Sequence, residues 1–467
     1  MKILLLKPIS DIYYVIQPNL GLGYLATIIL ENGHQVFIMD SGKENLTWDK
    51  FTKQIQQEKY DIIGIQMFTH EISSVKKHAE IIKKYSPDTA VIIGGAHMSG
   101  DPRGAMNLLE DVDFGFAGEA EIGIGKFIKL DKKDYSNYEL LKEIPGLVWR
   151  QDSEIIVNPR AQINELDMIK FPAWHLMPPS SYPVAPHGSF CKKMPVAPII
   201  ATRGCPFQCT FCAGKTVTGS IIRSRSVENV IDEILLLHKK YNVKEFHIED
   251  DNFTLKRDFV VKFCKKIIGL GLDIVFALPN GIRLDTLDED LLKLMERAGF
   301  YSVAVGIESG SNRVLKLMQK NLSKETIKEK TDLIKKCTEM TVTGFFMIGY
   351  PGETESEILE TIDFAKSLNI DKASFMFVMP LPGSKLWDMY KGQKEIKWEN
   401  FFYYRAVEGF FNIPIQRLKK FQRKAVREFY LRPRIIKTLL KEIKTYNQLK
   451  ILIKRFLNIF SPAKMLF

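Results

Sequence analysis

Residues 201–214 read ATRGCPFQCTFCAG and hold three of the six cysteines of the chain within eight positions. Cys205, Cys209 and Cys212 are spaced C-x₃-C-x₂-C, directly after an apolar segment that is typical of a buried strand. A closed structural zinc site has four ligands, so three clustered cysteines indicate a centre that keeps one coordination position open. The alternatives are a zinc knuckle without its fourth ligand and three ordinary core cysteines. The remaining cysteines are typical of buried, unreactive thiols: Cys191, Cys264 and Cys337.

The composition is that of a globular protein with two or three domains. The chain has 467 residues, of which 45% are apolar and 26% charged. No signal peptide is visible, and no apolar run reaches the roughly 18 residues that span a bilayer. We therefore expect a cytoplasmic protein with reduced thiols. The net charge of +11 comes from the carboxyl-terminal region, because residues 416–467 contain 15 Lys/Arg and two acidic residues.

Short runs rich in Ile, Val, Leu or Phe alternate with amphipathic segments, such as 74–86, in the first part of the chain. Strands buried on both faces of a parallel sheet have this composition, and the amphipathic segments supply crossover helices. The pattern predicts an α/β doubly wound domain over 1–145, with a ligand crevice at the carboxyl ends of its strands. The strand candidates are 2–9, 35–40, 61–67, 90–95 and 113–119.

A second series of strands and helices follows a connecting region. Residues 146–160 have a hairpin pattern, and seven prolines between 166 and 198 predict an extended linker, so the connection covers 146–198. Six strand–helix repeats predict a partial (β/α)6 barrel over 199–390, with its chemistry at the carboxyl ends of the strands. Residues 391–467 are predicted to form a helical region with a basic amphipathic tail. The barrel strand candidates are 197–204, 245–250, 273–281, 301–308, 341–351 and 372–380.

The C-x₃-C-x₂-C spacing, with Phe211 directly before the last cysteine, resembles the radical S-adenosylmethionine (SAM) superfamily. In that family three thiolates hold a 4Fe–4S cluster, and the iron without a protein ligand binds the amino and carboxylate groups of SAM. The resemblance implies that Cys205, Cys209 and Cys212 bind the cluster and that Phe211 lies beside the cofactors. It also implies an enzyme that generates a 5′-deoxyadenosyl radical.

Polar residues and glycines follow the later barrel strands, where this family binds SAM. The resemblance implies that residues after the second strand contact the SAM amino group and that a residue after the third contacts a carboxylate. Residues after the fourth strand are implied to contact the ribose hydroxyls, and those after the fifth to lie along adenine. Glu353 is also a candidate acid at a helix amino terminus. A cap or a turn is the alternative for each position. The candidates are Glu249, Asp250, Asp251, Asn252, Arg283, Glu308 and Gly349.

The first domain resembles the cobalamin-binding domain of cobalamin-dependent radical SAM enzymes. It lacks a G-x-G-x-x-G fingerprint but contains PNLGLGYLA (18–26), GGAHMS (94–99) and GEAE (118–121), which match that family's pattern. The resemblance implies a corrin ring in the crevice above the strand ends. A strand-end histidine and a tight turn are the ordinary alternatives. The residues implied in cobalamin binding are Gly94, Gly95, His97, Gly118 and Glu119.

The D-x-H-x-x-G motif, which supplies an axial histidine in other cobalamin domains, is absent from the sequence. We therefore expect cobalamin to bind without a histidine from that motif. Loop residues near Tyr13, Tyr14, Gln66 or Thr69 are expected to shield its lower face.

The resemblance implies methylation of an unactivated carbon of an apolar or complex substrate, either a small molecule or lipid-like. Cyclisation or rearrangement without net methyl transfer is an alternative within this class. RNA modification is another, although no appended RNA-binding module is visible. A non-catalytic cobalamin sensor does not explain the SAM-side motifs. The family also implies a reducing partner such as flavodoxin or ferredoxin.

The segment 435–460 has apolar residues every three or four positions, with lysines beside them. A basic amphipathic helix suits an anionic membrane surface, here the inner membrane, or an apolar substrate partner. A helix packed on the barrel with solvated lysines is the alternative. The stripe consists of Ile436, Leu440, Ile443, Leu449, Leu452, Phe456 and Ile459 or Phe460.

Overall fold

The amino-terminal part of the chain forms a seven-stranded sheet in the order β2-β1-β3-β4-β5-β6-β7. The computed structural model describes residues 1–10, 16–183, 191–392, 396–443, 445–446, 448–450 and 453. β1 to β5 run parallel, whereas β6 and β7 are antiparallel to their neighbours. The strands are β1 (Lys2–Lys7), β2 (Gln35–Asp40), β3 (Ile62–Gln66), β4 (Ala90–Gly94), β5 (Phe114–Phe116), β6 (Leu147–Gln151) and β7 (Glu154–Val157).

Both faces of this sheet are covered. In β1, Leu4 and Leu6 pack into one apolar cluster, and Ile3 and Leu5 pack into another on the opposite face. This explains why the strands are continuous apolar runs rather than alternating patterns. The helices are α1 (Leu20–Glu31), α2 (Ser41–Glu44), α3 (Trp48–Gln57), α4 (Ile72–Tyr85), α5 (Ala96–Gly100), α6 (Pro102–Leu108), α7 (Glu121–Phe127) and α8 (Tyr138–Lys142), with 3₁₀ turns at Thr69–Glu71 and Lys132–Ser136.

The hairpin β6–β7 extends the first sheet. β6 pairs antiparallel with β5, with Trp149 opposite Phe114. Trp149 is almost fully buried, and the pairing of β6 with β5 covers the edge that β5 would otherwise expose. The sheet therefore continues past residue 145, the predicted end of the first domain, and the hairpin is part of the sheet rather than of the connection.

The second sheet has six parallel strands in the order β8-β11-β12-β13-β14-β15, which follows the chain. β8 and β15 are its two edges, so the barrel is open, and the predicted fold class is confirmed. A two-stranded antiparallel ribbon, β9–β10, lies beside it. The strands are β8 (Val196–Ile199), β9 (Thr202–Arg203), β10 (Arg223–Ser224), β11 (Glu245–Ile248), β12 (Val275–Ile282), β13 (Phe300–Glu308), β14 (Thr341–Ile348) and β15 (Lys372–Phe377).

Helices cover the outer face of the barrel, where a stack of phenylalanines that includes Phe246 and Phe276 forms part of the core. The helices are α9 (Lys215–Thr218), α10 (Val227–Tyr241), α11 (Arg257–Leu270), α12 (Glu289–Arg297), α13 (Asn312–Leu317), α14 (Lys324–Cys337), α15 (Glu355–Ser367) and α16 (Lys385–Tyr390). The 3₁₀ turns in the linker and barrel are Leu166–Met168, Pro179–Ser181, Phe253–Leu255 and Leu284–Thr286, and another follows at Trp398–Asn400.

The first helix after the barrel, α17 (Ile415–Tyr430), packs on the edge strand β15. Gln422 Nε2 donates to the carbonyl oxygen of Phe375 at 2.8 Å, inside the core. This part of the basic region is therefore structural, since its lysines and arginines line the outer side of a helix whose apolar side is buried.

The next helix, α18 (Pro433–Lys441), is only partly packed. Ile435 is fully buried, whereas Leu440 is 54% exposed. The predicted helix over 435–460 lies partly outside the described residues, and α18 itself ends at Lys441. The stripe residues outside the described part are Leu452, Phe456, Ile459 and Phe460. Among the described residues, no helix is long and apolar enough to cross a membrane.

Candidate functional site

The cysteine loop follows the ribbon strand β9 at the carboxyl end of β8. Gly204, at its start, has a φ of +97°, and an added Cβ would lie 2.2 Å from the carbonyl oxygen of Ile221. Only glycine fits this conformation and this approach. The Cys205 amide donates to the carbonyl oxygen of Gly219 at 3.1 Å, and the Cys212 amide to that of Cys209 at 3.2 Å. Backbone bonds therefore fix the loop.

The three thiols lie close enough to affect one another electrostatically. Burial of its sulfur raises the pKa of Cys212 to about 11, with further upward contributions from Asp251 and the other two thiols, although the residue as a whole is exposed. Burial also raises the pKa values of Cys205 and Cys209. Three thiolates at this position thus need a positive centre between them, which is the property of an iron cluster.

Asp250 and Asp251, after β11, hold the cysteine loop. The Asp250 carboxylate, almost fully buried, accepts from the amides of Ala201 and Thr202 at 2.7 and 2.8 Å. It also accepts from Thr202 Oγ1 at 2.7 Å, and burial raises its pKa to about 7. Asp251 accepts from the Gly204 amide at 3.3 Å and from a threonine hydroxyl. Asp250 therefore positions the turn that leads into the cysteine loop, and its contact with SAM stays a prediction.

Glu249 and Asn252 are the other two candidates after β11, and their surroundings differ from those of Asp250 and Asp251. Glu249 Oε1 accepts from Gln17 Nε2 of the first domain at 3.2 Å, and the Glu249 carbonyl accepts from Asn280 at 2.9 Å. Asn252 is buried, and its Nδ2 has no hydrogen-bond partner among the described residues. A buried amide donor at a strand end is a group that a polar ligand can satisfy.

The guanidinium of Arg283 already has partners within the chain. Its guanidinium pairs with Asp285 at 2.8 Å and donates to the Lys320 carbonyl at 2.9 Å. It also stacks on Phe207, 3.7 Å from the ring centroid, inside the cysteine loop. Partners within the chain therefore occupy the guanidinium in the structure, and binding of a ligand carboxylate by Arg283 stays a prediction.

A buried ion pair occupies the carboxyl end of β13. Glu308, which has a φ of +68°, accepts from Lys320 Nζ at 2.8 Å. Lys320 also lowers the pKa of Cys209, against the larger opposing effect of burial. Sequence reasoning missed Lys320 because it lies in a loop beyond α13 without a motif.

The fifth strand of the barrel, β14, ends in a glycine turn. Gly349 has a φ of +86°, and its amide donates to Glu353 Oε2 at 2.7 Å. Burial raises the pKa of Glu353 to about 7. Tyr350 Oη lies 2.6 Å from Thr210 Oγ1 of the cysteine loop, and Phe211 packs against the same cluster as Tyr350. This turn therefore supports the loop from the opposite side.

The crevice of the first sheet contains the glycine pair and His97. Gly95 has a φ of +112°, and an added Cβ would lie 2.9 Å from the Met67 carbonyl, whereas one on Gly94 would meet no protein atom closer than 3.9 Å. His97 Nδ1 lies 3.2 Å from Thr69 Oγ1, and burial lowers its pKa to about 4. Its Nε2 is buried with no hydrogen-bond partner among the described residues.

Two further predicted positions lie at the interface of the two sheets. Gly118, with a φ of +85°, donates to Ser99 Oγ at 2.9 Å. Glu119 binds Arg223 through both oxygens, at 2.6 and 2.8 Å, and lies 3.4 Å from Arg203. Arg203 and Arg223 thus surround the Glu119 carboxylate in the structure, and its contact with cobalamin stays a prediction.

The crevice is covered by a segment that the sequence did not indicate. Trp398 lies edge-on to the His97 ring at 5.2 Å between centroids, and Phe402 lies 6.2 Å from His70. Gln66 accepts from Asn19 at the same edge. Tyr13 and Tyr14, expected to shield cobalamin, lie outside the described residues.

Comparison with known proteins gives the family. The chain is 32% identical over 452 residues to an uncharacterized methyltransferase of Pyrococcus horikoshii, which covers 93% of this chain and 94% of that protein. It is 30% identical over 440 residues to cytidylyl-2-hydroxyethylphosphonate methyltransferase of Streptomyces wedmorensis, with 82% and 80% covered. Residues 9–127 match the B12 binding domain, and residues 199–365 match the Radical SAM superfamily. The chain belongs to the cobalamin-dependent radical SAM enzymes.

The fold agrees with that family. The cobalamin-dependent SAM radical enzyme OxsB, solved with aqua-cobalamin and SAM bound, superposes with a TM-score of 0.74 at 17% identity, over 98% of this chain and 71% of that one. The predicted family and the predicted cofactors, a 4Fe–4S cluster, SAM and cobalamin, are confirmed. The clustered thiols, the unsatisfied Asn252 amide and the unsatisfied His97 nitrogen fit these groups.

Proposed function

We propose that this radical SAM enzyme transfers a methyl group to an unactivated carbon of an apolar or complex substrate. The cluster and SAM supply a 5′-deoxyadenosyl radical, and cobalamin supplies the methyl group. Two relatives that align along most of their length are named methyltransferases, which supports this chemistry. The observation that carries the proposal is that the cysteine loop and the crevice of the first sheet meet at one interface. Arg203, two residues before Cys205, pairs at 2.7 Å with Glu121, which follows the crevice of the first sheet.

We assign the cofactor contacts to side chains that lie at the strand ends near the cysteine loop. Cys205, Cys209 and Cys212 are proposed as cluster ligands. Asn252 and the Glu308–Lys320 pair are the proposed contacts for SAM. The support is that the buried Asn252 amide has no hydrogen-bond partner among the described residues and that the ion pair lies at the end of β13, within electrostatic range of Cys209.

For cobalamin we propose the crevice at Gly94, Gly95 and His97. The support is that Gly94 leaves space beside the strand end and that His97 Nε2 is buried and unsatisfied within the described chain. Trp398 and Phe402 are proposed to shield the ring from the barrel side. Cobalamin binding without a histidine from a D-x-H-x-x-G loop stays a prediction.

An isotope experiment tests methyl transfer. The loaded enzyme is reduced anaerobically with trideuteromethyl SAM and with small-molecule, lipid or peptide extracts, and products are separated by mass spectrometry. We expect a trideuteromethylated product, with one deoxyadenosine and one S-adenosylhomocysteine per product. Cys209→Ala is expected to abolish deoxyadenosine release, whereas Cys337→Ser, in a thiol remote from the cluster loop, keeps it. Deoxyadenosine with neither S-adenosylhomocysteine nor a labelled product would favour cyclisation instead.

We also propose that the carboxyl-terminal region associates with an anionic membrane surface. Pro433, Ile436 and Leu440 line a shallow apolar groove with Lys437 and Lys441 beside it. Tyr446 and Ile453, further along, are 79% and 51% exposed. Apolar side chains flanked by lysines have the charge and polarity that suit acidic headgroups. A flavodoxin-like or ferredoxin-like reductant remains the proposed electron donor.

A further inference from the structure

A cluster of three metal-binding side chains lies in the barrel, at the end opposite to the cysteine loop. Glu245 is the first residue of β11 and His247 the third, and Cys191 lies on the linker that leads into β8. One potential ligand atom from each of the three residues lies within 4.8 Å of the other two. The sequence predicted a buried, unreactive thiol for Cys191; the structure instead gives a half-buried thiol among polar groups.

The strand explains why two of these side chains meet. Residues two apart in a strand point to the same face. Phe246, between them, stacks on Phe276 beneath the outer helices, so Glu245 and His247 face the barrel interior. Glu245 is fully buried and His247 is 5% exposed. His247 Nε2 lies 2.8 Å from Glu245 Oε1.

Neighbouring groups orient the carboxylate. Tyr301 Oη donates to Glu245 Oε1 at 2.6 Å, and the backbone amide of Lys193 donates to Oε2 at 2.7 Å. Among the described residues, no lysine or arginine side chain forms an ion pair with Glu245, although Lys372 acts on Cys191 electrostatically. Hydrogen bonds to a metal-binding carboxylate from surrounding groups are typical of metal sites, where they fix the ligand.

We propose that Cys191, Glu245 and His247 bind a divalent zinc ion. A thiolate, an imidazole and a carboxylate together are typical zinc ligands, and the thiolate disfavours magnesium and calcium. Ligand atoms 2.0–2.3 Å from a tetrahedral zinc are about 3.4 Å apart, which lies within the 4.8 Å that separates the three ligand atoms at most. Binding replaces the thiol proton of Cys191, which leaves to solvent, and requires a neutral imidazole.

The ion would connect the linker to the barrel wall. The linker also binds there through its backbone, because the amide of Lys244 donates to the Pro195 carbonyl at 3.1 Å. The ion would be separate from the cluster cysteines, and with three protein ligands it would keep its fourth position for a water molecule. The competing interpretation is a buried carboxylate satisfied by hydrogen bonds alone, which predicts no metal uptake.

Metal analysis of the full chain tests this. Cys205, Cys209 and Cys212 are all changed to Ala, so that cluster iron and cluster thiols do not contribute. The protein is incubated with zinc chloride and desalted, and zinc is measured by mass spectrometry. We expect one zinc per chain. Cys191→Ser and His247→Gln in this background should reduce zinc to a small fraction, whereas Cys337→Ser, another half-buried thiol, should retain it.

A second measurement applies if the triple variant does not fold. In the cluster-loaded chain, added zinc should raise the melting temperature of the parent and of Cys337→Ser, but not of Cys191→Ser. Absence of zinc in the parent overturns the proposal, as does equal zinc in the parent and in Cys191→Ser. Because neither measurement uses SAM or substrate, its outcome is independent of the proposed methyl transfer.

Discussion

At the scale of single residues, Asp250 holds the backbone that leads into the cysteine loop. A carboxylate at a strand end of a barrel is expected to face the ligand. Here three donors from Ala201 and Thr202 occupy its oxygens, and they fix the turn that leads into the cysteine loop. Strand-end position alone therefore does not separate a ligand contact from a positioning residue, because both need the same place in the fold.

Asp250→Asn should weaken this turn. The amide group presents a donor where the backbone already donates, so we expect the free energy of unfolding to fall by about 1–3 kcal/mol and iron loading to decrease. Urea unfolding and iron analysis measure both effects. Asp232→Asn, on the exposed side of α10, is the matched control. Normal stability with a selective loss of SAM binding would restore the ligand-contact hypothesis for Asp250.

His78 should make the fold sensitive to acid. It lies between Trp48 and Phe51, with ring centroids 4.6 Å away in each case, and burial lowers its pKa to about 4. Its folded pKa is below the unfolded value near 6.5, so its contribution to stability is present above pH 6.5 and is lost as the pH falls toward 4.

Acidification from pH 7.5 to 5.5 should therefore cost about 1 kcal/mol through His78. Urea unfolding at the two pH values measures this, and the difference should shrink by that amount in His78→Phe. His175→Phe, at an exposed position, is expected to leave the pH dependence unchanged. An unchanged dependence in His78→Phe would mean that folding does not shift the pKa of this imidazole.

At the scale of elements, apolar runs predicted the parallel strands because burial on both faces leaves a strong local pattern, as in β1 and β4. The cysteine spacing is equally local. Other features depend on contacts between distant residues. Lys320 pairs with Glu308 from a loop, Trp398 contacts His97 from the segment after the barrel, and Glu119 pairs with Arg223 of the ribbon β9–β10. No spacing within the sequence encodes such pairs, so they could not be predicted from it.

The structure divides the basic carboxyl-terminal region into two parts with different roles. α17 and the start of α18 belong to the core, since Leu418 and Ile435 are fully buried. Beyond Lys441, the described residues Tyr446 and Ile453 are exposed. A truncation at residue 435 would therefore cut packed structure, and the membrane hypothesis requires a cut further along the chain.

Removing residues 444–467 should preserve the fold and weaken membrane association. The segment contains five Lys/Arg, each worth about 1 kcal/mol near an anionic leaflet, so apparent affinity should fall by up to about three orders of magnitude. Flotation with phosphatidylglycerol vesicles measures this, and phosphatidylcholine vesicles provide the neutral control. Equal flotation of the truncated and full chains would contradict the membrane proposal.

Ile435→Ala provides the contrasting result. Truncation of this fully buried side chain should lower the free energy of unfolding by about 2–4 kcal/mol, because a cavity remains in the core. Vesicle binding should not change. Thermal melting and flotation of the same samples thus separate the packed part of the region from the part proposed to bind lipid.

At the scale of the whole molecule, buried charges join the two sheets. Glu119 and Glu121 of the first sheet face Arg203 and Arg223 of the ribbon β9–β10, which lies at the start of the cysteine loop. The close approach of Gly100 to the Pro382 carbonyl, 2.2 Å from an added Cβ, fixes a second point of the interface. The crevice and the cluster loop are thereby held in one arrangement.

Glu119→Gln should disturb this arrangement before any cofactor is added. Removing the charge leaves Arg223 buried with an incomplete partner, so we expect the cofactor-free chain to lose about 3–5 kcal/mol of stability and cobalamin affinity to fall as a consequence. Melting curves without cobalamin, followed by titration with hydroxocobalamin, measure the two effects. Glu154→Gln, an exposed change in β7, should alter neither. A direct contact between Glu119 and cobalamin predicts the reverse, a normal melting temperature without the cofactor together with weakened cobalamin binding, and that result would remove the interface role argued for Glu119.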